Sequence, residues 1–135
     1  MSDTPILVGY VESPEGQAAL DAAVAEATLR SAPLLVVTSH RGGSALGSAQ
    51  ARELDDRLNV VRQLLEGSGL SFDVRALVRG KEVAEDLVDV ATETGARLIV
   101  IGLRKRSPVG KLILGSNSQQ ILLDAPCPVL AVKAP

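Results

Sequence analysis

The chain has no tryptophan, one tyrosine and one phenylalanine, so aromatic residues make up 1% of it, against 46% hydrophobic residues overall. Its core therefore has to be built from Ala, Val, Leu and Ile, a set that suits a parallel sheet covered by helices on both faces. One cysteine, Cys127, excludes an intramolecular disulfide. It stands between Pro126 and Pro128 at the start of an apolar run, with no partner for metal binding or catalysis in view, and reads as a small buried hydrophobe. No apolar run has spanning length and no charged-then-apolar leader opens the chain, so a cytoplasmic protein without membrane partners is expected. Positive charge is not in excess either. Lys and Arg number 14 against 16 Asp and Glu, a net charge of −2, which argues against bulk attraction to nucleic acid or to an anionic membrane. A length of 135 residues fits one domain large enough to fold without staples.

The most informative stretch runs from Leu98 to Val132. It reads as a short apolar strand, a basic loop, a capped helix and a second apolar strand. Ser116 is the expected N-cap, with Gln119 three residues on completing a capping box, and Gly115 before it permits close approach of the backbone. A helix that starts at the C-terminal end of a parallel strand offers free N–H groups and a positive dipole end to the crevice, which favours an anion. The loop adds Arg104, Lys105, Arg106 and Lys111 without one acidic residue. A phosphate-bearing ligand on the Ser116 and Asn117 N–H groups and the Ser116 hydroxyl is thus preferred over a bare surface loop.

Strand and helix alternate along the rest of the chain. Ile6 to Val11 is too short for a helix and uninterrupted enough for a central strand. Ser13, Pro14 and Glu15 then read as N-cap, first helical residue and an acid at the positive helix end. That helix runs to about Arg30 with Leu20, Val24 and Ala27 inward. A second strand spans Leu34 to Thr38, and Ser39 to Gly47 is a glycine-containing loop. Leu54, Leu58, Val61 and Leu65 recur at helical spacing, with Gly67 and Gly69 closing the helix. Phe72, Val74, Ala76 and Val78 alternate with polar residues and mark an edge strand. A third helix turns Val83, Leu87 and Ala91 inward and stops at Gly95. Five strands in this order predict right-handed crossovers and a doubly wound sheet, with no internal repeat. The acids Glu82, Glu85, Asp86 and Asp89 read as a solvated helix face. His40 reads as a loop residue or strand cap, since no nucleophile with a paired acid accompanies it.

Gly102, the pair Gly115–Ser116, the helix after them and the ending CPVLAVK resemble the C-terminal signature of the universal stress protein family. Its nucleotide-binding members carry glycine, two residues, glycine, nine residues, then glycine with serine or threonine. Gly102 and Gly115–Ser116 occupy the outer positions, while Lys105 stands at the middle glycine and either narrows the phosphate cradle or replaces backbone contacts with a charge. The resemblance implies a five-stranded parallel sheet in the order 3-2-1-4-5 and a crevice between strands one and four, where ligands of open α/β sheets bind. At the first turn, relatives carry aspartate, a small residue and serine where this chain has Val11, Glu12 and Ser13. A one-residue shift at a strand end turns a side chain to the other face, so Glu12 does not simply replace the aspartate.

The implied site comprises Val11 and Glu12 on one side and Gly102, Arg104, Lys105 and Arg106 on the other. Gly110 and Lys111 continue the loop into Gly115, Ser116 and Asn117. ATP or another adenine nucleotide is the implied ligand, and a homodimer through the edge strand Val129 to Val132 the implied assembly. Two other classes stay open: a ligand-free dimeric interaction module, and a slow nucleotide hydrolase. The latter lacks a visible base, a Walker-type lysine–serine pair and metal ligands.

Overall fold

The computed structural model describes residues 4–39, 48–77, 82–104 and 114–134. Strands β1 (Ile6–Gly9), β2 (Leu34–Ser39), β3 (Phe72–Leu77), β4 (Leu98–Leu103) and β5 (Val129–Lys133) alternate with helices α1 (Pro14–Arg30), α2 (Ser48–Glu66), α3 (Val83–Thr94) and α4 (Ser116–Asp124). They form one parallel sheet in the order β3-β2-β1-β4-β5. This is the implied order, with β1 central and Ile6 in register with both Leu34 and Leu98.

The uninterrupted apolar runs are explained by burial on both faces. Successive residues of a strand point to opposite sides, so Ile6 and Val8 pack with Ala19, Leu20 and Ala23 of α1 and with Leu58 and Val61 of α2. Leu7, Leu35, Val37, Ile99 and Ile101 pack on the other side with Leu87 and Val90 of α3 and Ile121 of α4. Alanines at three positions of α1, Ala19, Ala23 and Ala27, are wholly buried. Small side chains there bring the helix close to β1 and β4. Half-buried Cys127 packs beside the second cluster, where burial pushes its thiol up from the ordinary range.

The Ser13 side chain accepts from the Gly16 N–H at 3.0 Å, and Pro14 opens α1 as expected. Gly95 closes α3 in the left-handed region, φ 66°. Four expectations are corrected. Gly115, not Ser116, takes the N-cap position of α4, in extended backbone and without a side-chain cap bond. Gln119 does not close a capping box; its backbone N–H donates to the Gly115 carbonyl and its side-chain amide to the Leu114 carbonyl, both at 3.0 Å. The alternation in β3 fails at its end, where Leu77 is buried and Ala76 exposed, while Val78 lies outside the described residues. Finally, Asp86 is not on a solvated face, being 0% exposed. Among the described residues no helix is long and apolar enough to cross a membrane.

Candidate functional site

At the C-terminal edge of the sheet the chain leaves β1 toward one face and β4 toward the other, which opens a crevice between them. Two glycines set its wall. A Cβ at Gly16 would stand 1.7 Å from the Val11 carbonyl oxygen, and one at Gly102 would stand 2.2 Å from the Glu15 carbonyl oxygen. Both distances lie far inside van der Waals contact, so only glycine lets the turn after β1 fold onto α1 and the end of β4 lie against it. The immediate role of Gly102 is therefore close packing of backbone.

The crevice has a volume of about 260 Å³, near the lower end of the roughly 300–1,000 Å³ typical of small-molecule sites. Gly9, Tyr10 and Val11 line it from β1 and the turn after it, Val37 and Ser39 from β2, and Val83 and Leu87 from α3. Ile101 to Arg104 line it from β4, and Gly115 to Ser118 with Ile121 from the start of α4. Of the residues expected from the sequence, Val11, Gly102, Arg104, Gly115, Ser116 and Asn117 thus meet at one crevice. Glu12 is placed elsewhere: it is exposed and pairs with Arg57 Nε of α2 at 2.7 Å. Lys105, Arg106, Gly110, Lys111 and His40 lie outside the described residues.

Two further acids bear on the crevice. Glu15 lines it and receives Arg104 Nε at 3.2 Å. Its own backbone N–H, at the positive end of α1, holds its carboxyl below the ordinary range. Burial opposes this, and the Ser13 hydroxyl and Arg104 reinforce it. The sequence showed Glu15 only as a helix-start acid, because the pair spans 89 residues and no local spacing reveals it. The second acid, Asp86, accepts a short hydrogen bond from the Ser39 hydroxyl on the crevice wall. Its other oxygen, Oδ1, has no hydrogen-bond partner among the described residues. A signal for its burial was present: Asp86 lies three residues after Val83 and four before Val90, on the inward face of α3. The Tyr10 hydroxyl is pushed up by burial and by Glu12, with Arg57 opposing. Among the described residues no group of three or more His, Cys, Asp or Glu side chains is arranged to hold a metal ion.

Chemically, the crevice offers free N–H groups at the first turn of α4, Arg104 beside them, and apolar walls from Val37, Val83, Leu87 and Ile121. Comparison with known proteins agrees with this architecture. A protein of Mycolicibacterium smegmatis described as a universal stress protein is 41% identical over 128 residues, which cover 95% of this chain and 96% of that one. A solved universal stress protein from Archaeoglobus fulgidus superposes with a TM-score of 0.83 at 39% identity, covering 96% of this chain and 98% of that one. Another from the same organism, solved in complex with dAMP, superposes with a TM-score of 0.82 at 33% identity, covering 98% and 100%. The model of the universal stress protein family matches residues 4–133, and with these sheet, crevice and relatives the chain belongs to the universal stress protein family.

Proposed function

We propose that the chain is a stress-response module that binds an adenine nucleotide, ATP among them, in the crevice between β1 and β4, with phosphate at the start of α4. The observation that supports this best is the convergence of Gly102, Arg104 and the first turn of α4 on one crevice at the topological switch point. Unsatisfied helix N–H groups and a guanidinium recognise phosphate, while the aliphatic walls accept a flat ring. The dAMP complex of the Archaeoglobus fulgidus relative supports the same ligand class. Lys105, Arg106 and Lys111 add positive charge to the phosphate end, and Lys105 stands in for the middle glycine of the family pattern.

The reading also includes a homodimer through β5. That strand has β4 on one side, and Val129, Leu130 and Val132 are half-buried rather than covered, so its outer edge suits pairing with a second copy. Ligand binding and assembly, rather than turnover, are the proposed mode of action.

Calorimetric titration with ATP, ADP and AMP tests the ligand. Saturable binding of at least one, with a rise in melting temperature that grows with its concentration, is the expected result. No heat and no stabilisation by any of the three would leave the ligand-free dimer as the better account.

A further inference from the structure

Ser39 sits at the end of β2, and the start of α4 lies beyond the end of β4. One strand, β1, stands between β2 and β4, so the two ends are two strand spacings apart, roughly 10 Å. Phosphate held at α4 would leave the rest of a nucleoside monophosphate to extend along the crevice toward Ser39. Val37, Val83 and Leu87 form aliphatic walls at that end. Tyr10 packs with the cluster on the opposite face of the sheet, so Ser39 is the hydroxyl best placed to meet the edge of a ring there.

The state of that hydroxyl is determined by Asp86. A serine has one proton to donate and two lone pairs, and the Ser39 proton goes to Asp86 Oδ2. Asp86 is 0% exposed and its Oδ1 has no partner among the described residues, so releasing Ser39 would strip the buried carboxyl of the bond that Ser39 supplies. Leaving a buried acceptor unsatisfied costs more than an ordinary hydrogen bond returns. Ser39 Oγ therefore faces the crevice as an acceptor only.

Resting on the nucleotide reading above, we infer that the Ser39–Asp86 couple selects the base: Ser39 accepts from the exocyclic amino group of a 6-aminopurine and disfavours a 6-oxopurine, with Asp86 as its positioning residue. A 6-oxopurine would set its carbonyl oxygen against the Ser39 lone pairs. Two acceptors facing each other without a proton between them leave both unsatisfied.

The test compares AMP with IMP by calorimetric titration of the full chain. The wild type is expected to bind AMP more tightly by about fivefold or more, the scale of one neutral hydrogen bond. Ser39→Ala should remove that preference, weakening AMP by the lost hydrogen bond and relieving IMP of the facing acceptor. In Asp86→Asn the amide can donate to Ser39 Oγ, which frees the hydroxyl proton to point into the crevice, so the preference should turn toward IMP. A purely structural role would instead weaken both nucleotides by one common factor. Should Asp86→Asn not fold, the double variant Ser39→Ala/Asp86→Leu, which replaces the couple with apolar groups of similar shape, is expected to bind AMP and IMP alike. Equal binding of AMP and IMP by the wild type, or variants that keep its preference, would overturn the selection and leave the nucleotide site standing. Binding of neither nucleotide would overturn the nucleotide reading itself.

Discussion

Gly102 lies so close to Glu15 that a Cβ on the glycine would stand 2.2 Å from the Glu15 carbonyl oxygen. The obstacle is main chain, which cannot rotate away as a side chain can. Gly102→Ala should therefore push the end of β4 from the start of α1 and cost about 1–3 kcal/mol, the usual range for overpacking. Chemical denaturation would read this as a lower midpoint, and an unchanged midpoint would show that the two segments separate freely.

Glu15 makes stability depend on pH. Its folded-state carboxyl is held below the ordinary glutamate range, so it takes up a proton more readily in the unfolded chain. The contribution is present above the unfolded value and fades as pH falls through the folded one. Glu15→Gln should consequently lower stability near neutrality while changing little at acid pH, which flattens the acid side of the stability profile. Urea midpoints taken from about pH 6 down to about pH 3 would check it, and parallel profiles for the two proteins would remove Glu15 from the account.

At the phosphate end, charged donors should matter more than a neutral hydroxyl. Lys111→Ala is expected to weaken nucleotide binding by about tenfold and Ser116→Ala by about threefold or less, on the scale of charged and neutral hydrogen bonds. Raising the salt concentration should weaken the wild type and narrow its lead over Lys111→Ala. Titrations of the three proteins at two salt concentrations suffice, and a reversed order would shift the anion from the basic loop to the helix hydroxyl.

Assembly through β5 is best probed at an exposed residue, so that folding is spared. Ala131 is exposed on that edge strand. In an antiparallel pair of β5 strands about a two-fold axis, Ala131→Arg brings two like charges near one another. Sedimentation should then show a monomer with unchanged far-ultraviolet dichroism. A dimer of undiminished affinity would place the interface on another surface.

The fold was legible because the signals that define it are local. Apolar runs such as Ile6 to Gly9 and Leu98 to Ile101, and stop and start residues such as Ser13, Pro14 and Gly95, declare elements one at a time, while the strand order came from the resemblance carried by Gly102 and Gly115–Ser116. The crevice was legible in part. Gly102, Arg104 and Ser116 fall within one stretch, and their meeting could be anticipated. The pairs Glu15–Arg104 and Ser39–Asp86 join distant segments, and only the register of the sheet brings them together. Asp86 was read by its charge when its helical position, shared with Val83 and Val90, already pointed inward. Gln119 was read by a motif that Gly115 pre-empted, because a glycine in extended backbone begins the helix without a side-chain bond.

The pairing of Ile6 with both Leu34 and Leu98 also governs how the molecule comes into being. The central strand is made first and acquires its second neighbour only after most of the chain exists, so the sheet closes through contacts of long sequence separation. Such topologies fold slowly, because loop closure must precede the contacts that reward it. During synthesis β1 waits with one apolar edge open, in the interval when neighbouring chains are most able to join wrongly. The crevice comes into being with that last closure, so a molecule bound there would act as a kinetic latch, slowing the parting of β1 from β4 and lengthening the lifetime of the native state.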